Sequence, residues 1–493
     1  MYTFISEGEN VAIPQKNTFI ISAVLLTLLS VSCLYTQTNE TELPVPDGLR
    51  FEIVDGRSVT ITRYSGNAVT VIIPARIQGL PVTVIGNSAF ASCGSLASIT
   101  IPSSVTSIGN LAFFGCRSLS SITIPSSVTS VGDGAFTNCN SLPDITVDSS
   151  NPSYASRDGV LFDKNIQTIV GYPSGRKDET YIIPSSVTSI GNSAFRLCYN
   201  LTSIAIPSSV TSIGDLAFDS CRNLTGIAIP SSVTSIGENA FAACSSLTSI
   251  TIPSSVTSIG GMAFAFCGSL TSITIPSSVT SIGNMAFYRC DSLSSITIPS
   301  SVAFIGNGAF AACYSLPSIT VDSRNPFYIS KDGVLFDKNV QTIINYPSNR
   351  KAETYTIPSS VMSIGDMAFS DCDNLTSITI PSSVTSIGNS AFGFCRNLTS
   401  INLPSSITSI GDNAFTSCGS LTSITIPSSV TFIGDWAFLF CDSLINVTIP
   451  SSVTFIGDGA FAQCVSLESV TISRYTRIGN YAFPETTQII YRD

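Results

Sequence analysis

The sequence predicts a β-rich repeat solenoid: a curved or horseshoe-like rod of 23-residue coils, with a parallel sheet on one face and short strands and turns on the other. Three observations predict it. The fourteen cysteines after Cys33 run from Cys93 to Cys464 at intervals of 23, except for two of 59, at Cys139 to Cys198 and Cys313 to Cys372. Each lies three residues after a Phe that follows an Ala, from Ala89-Phe90 to Ala460-Phe461, and a final Ala482-Phe483 lacks the Cys. The stretch Ile145 to Val187 returns as Ile319 to Val361, an offset of 174 that marks duplication of a block of several coils.

Each element of the coil follows from its residues. In the copy Leu270 to Cys290, Leu270, Ile273 and Ile275 end in a period-two, β-branched pattern that predicts a short strand. Pro276 has no N–H to give a ladder and ends it. Ser-Ser turns the chain, Val279 to Ile282 reads as a second short extended segment, and Gly283 is expected to supply the backbone freedom of the next corner. Met285 to Cys290 is too short for a stable helix and is expected to form one 3₁₀ or α turn. No coil can bury its own Leu, Ile, Val, Phe and Cys. Stacking at about 4.8 Å per rung joins them into continuous rows, and about fifteen coils would make a rod roughly 70 Å long.

Composition excludes several classes of function. Of 493 residues 44% are hydrophobic and only 11% are charged, against about 25% in an ordinary globular enzyme. There is no His, which removes the commonest general base and metal ligand. The net charge of −10 offers no basic footprint for a nucleic acid. No cofactor is expected.

The two 59-residue intervals carry insertions, about 148–183 and 322–357. In each, an apolar triplet (Val160 to Phe162, Val334 to Phe336) and a second run (Thr168 to Val170 in the first) flank Asp-Lys-Asn. A hairpin protruding from an enlarged coil is expected, with a pair of extra regular rungs as the alternative. Arg176, Lys177, Arg350 and Lys351 stand out beside them in a charge-poor chain, as solubilising loops or as docking elements. Asp158 and Asp163 are the nearest thing to paired catalytic carboxylates, but both sit in ordinary turn sequences.

Regular spacing also settles the cysteines. Equivalent positions stack with parallel Cβ vectors about 4.8 Å apart, whereas a disulfide wants converging Cβ atoms near 3.8 Å. Small buried hydrophobes are expected, not seven bridges.

Thr18 to Ser32 is uncharged and mostly apolar, too short to span a membrane comfortably and suited to a signal peptide over residues 1–33. With Ser30, Val31 and Ser32 before Cys33 it resembles a relaxed lipoprotein signal, which implies lipidation of Cys33; plain secretion and an uncleaved anchor are the alternatives. Residues 34–48 are polar and Pro-containing, as a tether would be.

Two surfaces are candidates for binding. The outward strand positions Ser249, Thr251, Ser272, Thr274, Ser295 and Thr297 make a hydroxyl-lined sheet, read as plain solvated surface, a protein- or glycan-binding face, or an ice-binding array. Residues around each Phe and Cys vary between copies, among them Arg196, Arg222, Arg289, Asp291, Arg396, Asp442 and the sole Trp436. Partner specificity is expected along this edge, unless the variation is drift at tolerant positions.

The pattern L-x-x-I-x-I-P-x-x-V-x-x-I-G-x-x-A-F-x-x-C resembles the BspA-like (Treponema pallidum-type) leucine-rich repeats of bacterial surface proteins, from about Leu49 to the last residue. The resemblance implies N-terminal capping coils at 49–87, a leucine-rich repeat solenoid at 88–477 and a C-terminal capping coil at 478–493. It further implies a non-enzymatic, cell-surface or outer-membrane adhesin, lipid-anchored or else secreted, that binds host matrix proteins, host cells or other bacteria. A structural coat or spacer protein that self-associates laterally is the alternative.

Overall fold

The computed structural model describes residues 43–492, and among them every regular element is a short β-strand. Each coil has three sides, and each side is tied to its neighbours by backbone hydrogen bonds. The first side is the strand of the apolar pattern: Ser249–Thr251 lies in parallel register on Gly226–Ala228, with Ile250 over Ile227. The second is a two-residue strand, Ser258–Ile259, paired with Ser235–Ile236 before it and Ser281–Ile282 after it. In the copy Leu270 to Cys290 the first strand shrinks to a single bridge, Ser249 to Ser272, and the flanking Thr271 N–H reaches Thr248 O at only 3.4 Å.

The third side corrects two expectations. Met285 to Cys290 forms no 3₁₀ or α turn; left-handed residues at Met285 (φ 53) and Arg289 (φ 56) flank Phe287. A helical turn would aim every N–H back along its own coil. Here the N–H groups alternate: Ala286, Tyr288 and Cys290 bond within the coil, while Met285, Phe287 and Arg289 donate to Asn307, Ala309 and Ala311 of the next, at 2.9, 2.8 and 3.1 Å. The turn is thereby a third ladder. Gly283, for its part, is required by close approach: a Cβ there would lie 2.4 Å from Gly261 N.

The apolar positions of the coil face inward. Leu270, Ile273, Ile275, Val279, Ile282, Ala286, Phe287 and Cys290 are all buried. The phenylalanines stack in rows, Phe90 to Phe113 at 5.3 Å and Phe113 to Phe136 at 5.5 Å between centroids in the first, with planes 16° and 6° apart. All fourteen cysteines from Cys93 onward are free thiols, and all but Cys93 are buried. Each donates to the previous coil, as Cys290 Sγ does to Phe264 O at 3.1 Å.

The insertions divide this interior. The expected hairpin is present, Val160–Asp163 antiparallel to Thr168–Gly171, but a further strand, Tyr154–Arg157, precedes it across the Asp158-Gly159 turn. The group does not protrude. Val160, Leu161 and Phe162 are fully buried, because three consecutive apolar residues on a free hairpin would face water. Alternation along the strand sends Leu161 into the core of residues 49–145, and Val160 and Phe162 into that of residues 160–319. At the second insertion Leu335 faces backward, and Val334 and Phe336 face the core that runs to residue 482. Each insertion is thus a septum between two stacks. Its last strand resumes the coil ladder, with Ile169 over Ile190.

A buried asparagine locks each septum. The fully buried Asn151 gives its amide to Pro125 O and Val128 O at 2.7 and 2.9 Å and accepts the N–H groups of Ser153 and Tyr154 at 2.8 Å. Asn325 repeats this set. After each septum the ring row restarts on a tyrosine, Tyr172 against Phe195 at 5.2 Å and Tyr346 against Phe369 at 5.1 Å. Tyr64 starts the first block in the same way, behind an antiparallel hairpin of Leu49–Val54 and Ser58–Tyr64.

Candidate binding edge

The three ladders fix every outward position, so the surface is a set of parallel columns. Ser249 and Thr251, Ser272 and Thr274, and Ser295 and Thr297 all stand exposed around a buried Ile. Their chemistry is monotonous: hydroxyls, no charge, and contacts along the column such as Thr297 to Thr320 at 2.7 Å.

The variable edge differs. On its left-handed turns, arginines lie over aromatic rings: Arg196 over Phe114 at 5.9 Å, Arg222 over Tyr199 at 5.6 Å, Arg289 over Tyr314 at 5.8 Å and Arg396 over Phe394 at 5.9 Å. Carboxylates hold two of the guanidinium groups in place, Asp219 on Arg196 at 2.8 Å and Asp373 on Arg396 at 2.9 Å. Asp442 stands exposed further along.

The second septum concentrates these groups. Arg289 donates to the Tyr314 hydroxyl at 3.1 Å, and Tyr314 donates to Asp371 Oδ1 at 2.8 Å, although Tyr314 and Asp371 are 57 residues apart. The turns that flank the septum meet on this edge, where Asn307 also donates to Asp366 Oδ2 at 2.8 Å. Asp371 is buried and takes a second hydrogen bond from Ser370 at 2.8 Å. Partial desolvation raises the carboxyl pKa of Asp291, with Arg289 opposing. Sequence reasoning picked out Arg196, Arg222, Arg289 and Arg396 but missed the rings beneath them, Phe114, Tyr199, Tyr314 and Phe394. The signal was available, since Tyr199 and Tyr314 both directly follow a repeat Cys.

The insertion residues split. Arg176 donates to Asp158 O, pairs with Asp178 at 2.7 Å and Asp144 at 3.3 Å, and covers the Tyr172 ring at 5.5 Å. Arg350 donates to Asp332 O and lies over Tyr346 and Tyr355 at 5.7 and 6.0 Å. Both clamp the septum turn, while Lys177 and Lys351 stand exposed beside them. Asp163 is used likewise, accepting the N–H groups of Gln167 and Thr168 at 2.7 and 2.5 Å, so its carboxylate caps a turn. Among the described residues no three potential metal-ligating side chains gather, and no helix is long and apolar enough to cross a membrane. Cys33, the signal segment expected before it and residues 34–42 of the expected tether lie outside the described residues.

Comparison with known proteins places the chain. The family model of the BspA type leucine rich repeat region matches residues 72–170, 174–290, 257–372 and 362–490. Among solved structures, the chain is similar to a leucine rich cell surface protein of Faecalibacterium prausnitzii A2-165, with 30% identity, 91% of this chain and 97% of that one covered, and a TM-score of 0.47. It is also similar to a leucine-rich repeat protein of Eubacterium ventriosum ATCC 27560, with 27% identity, coverage of 68% and 93%, and a TM-score of 0.50. No curated protein matches. With a 23-residue coil, three backbone ladders and a family match over most of its length, the chain belongs to the BspA-type leucine-rich repeat family.

Proposed function

We propose that the chain is a non-enzymatic adhesin, displayed at the cell surface, whose arginine–aromatic edge binds host extracellular-matrix or cell-surface proteins. The observation that carries this is the composition of the edge. Arginine and aromatic side chains are what protein interfaces enrich, and Ser what they deplete. Here rings and guanidinium groups are preset on a rigid ladder backbone, so little side-chain entropy remains to be lost on binding. The hydroxyl sheet lacks these anchors. The family's setting supports the location, since the Faecalibacterium neighbour is a cell surface protein.

Within this reading residues 1–33 are a signal peptide ending in a lipidated Cys33, residues 34–48 are a tether, and the repeats from residue 49 onward project from the membrane. Radiolabelled palmitate should enter the parent chain and not a Cys33→Ser variant; label in both would remove the anchor from that residue. The binding surface is tested with purified protein on immobilised matrix proteins and on whole cells. Replacing Arg289 and Tyr314 with Ala should weaken attachment at least about tenfold, as loss of an interface anchor does, while Ser272→Ala with Thr274→Ala should leave it unchanged. The opposite ranking would move the site to the sheet. A spacer protein would bind neither surface and would self-associate laterally.

A further inference from the structure

We propose that a corner of the rod spanning the coils around residues 432–480 is a binding site for neutral hexopyranose oligosaccharides. The proposal rests on the adhesin reading for its setting but uses a different surface. At the outward position of the second short strand most coils carry Ser, as at Ser235 and Ser258, whereas three consecutive coils near the C-terminal end carry Phe432, Phe455 and Arg477. The two rings stand 5.5 Å apart with planes 10° from parallel, and the Arg477 guanidinium lies over Phe455 at 5.8 Å. Phe432 is 39% exposed.

Around the turn from this column the same coils carry carboxylates and an indole. Asp435 Oδ1 accepts the N–H of Asp458, and Asp458 Oδ1 accepts that of Asn480, each at 2.7 Å. Those bonds fix the carboxylates at the spacing of the ladder and leave lone pairs for further donors. The next residue is Trp436, whose indole leans along the rod onto Gly459: a Cβ at Gly459 would lie 2.4 Å from Trp436 Cδ1. Trp436 is nevertheless 48% exposed.

This mixture selects its ligand. Aromatic rings carry negative faces that attract the weakly positive C–H groups of a pyranose. Sugar hydroxyls both donate and accept, so they suit acceptors at Asp435 and Asp458 beside a donor at Arg477. An anionic glycan or anionic lipid surface would meet the carboxylate column that begins at Asp412, whose Oδ1 accepts the Asp435 N–H at 2.9 Å. A cationic peptide would meet Arg477 already seated on the ring. A wholly apolar partner would bury the carboxylates without hydrogen bonds, which strongly disfavours it.

Trp436 is the sole tryptophan of the chain, so its emission reports on this corner directly. The full chain is titrated with maltohexaose, cellohexaose and N-acetylated chitohexaose. At least one should change the emission saturably, with a Kd of about 1 mM or tighter. The double variant Phe432→Ser with Phe455→Ser installs the residue other coils carry, so it keeps the fold, and should bind at least about tenfold more weakly. Trp436→Asn, matching Asn413 of the preceding coil, should do the same by calorimetry. Silence of Trp436 towards all three sugars, full affinity in the serine variant, or preference for a sialylated glycan or a lysine-rich peptide would each overturn the site. Arg289→Ala with Tyr314→Ala should lose protein attachment and retain the sugar, which separates failure of this site from failure of the edge.

Discussion

Burial sets the ionisation of several thiols in the cysteine row. It pushes the thiols of Cys221, Cys267 and Cys418 up to about 12, because a thiolate has no water there. An unfolded thiol titrates near 8.5. The folded pKa is the higher one, so the folded state holds these protons more tightly; the three thiols contribute full stability below about pH 8.5 and lose it as pH rises towards 12. The expected outcome is an alkaline unfolding transition in circular dichroism that moves to higher pH when several buried Cys are changed to Ala. The Phe row makes a second prediction. Phe241→Ala, in mid-stack, should cost about 3–5 kcal/mol in urea denaturation, and Phe483→Ala, packed on one neighbour at 5.2 Å, should cost less. Both rows were legible in the sequence, because every copy of a repeat position meets the same surroundings. The left-handed turn residues were not. Met285, Arg289, Trp436 and Phe440 all adopt positive φ, and none is a residue type that favours it. The ladder imposes the conformation.

Each septum strand serves two cores with alternate side chains, and this gives a directional prediction. Leu161→Ala should loosen the block before the septum and Phe162→Ala the block after it, each by about 2–5 kcal/mol. Hydrogen exchange should register the first change among residues 98–147 and the second among residues 180–236. If both changes loosened both blocks alike, the strand would not partition the interior. The insertions were visible in the sequence as two breaks in a 23-residue rhythm, and the second hairpin strand as an apolar run. Their inward orientation was hidden, since three apolar residues in a row fit a strand buried on both faces as well as a hairpin tip. The same ambiguity hid the role of Arg176 and Arg350: a charged residue reads as surface until the turn carbonyl it holds is known.

Three cores on one rod make the whole molecule a series of blocks, each opened by a tyrosine at the head of its ring row: Tyr64, Tyr172 and Tyr346. Stability in such a chain adds up from neighbour contacts, so denaturation should proceed through more than one transition, separable by the Trp436 signal, which reports the last block alone. A single coincident transition by fluorescence and circular dichroism would show that the septa transmit unfolding instead of confining it. The proposed edge sites on several blocks, held at fixed separation, would favour many weak contacts acting together.

The ladder bonds on all three sides run from coil to coil, along the long axis. Traction between the two ends therefore loads them in peeling mode, one coil at a time. Each released coil would pay out about 75 Å of slack (23 residues at roughly 3.4 Å, less one rung). Under load such a rod would yield in small steps, with Asn151 and Asn325 acting as rip-stops. Single-molecule pulling should record that staircase, with its tallest risers at the two septa.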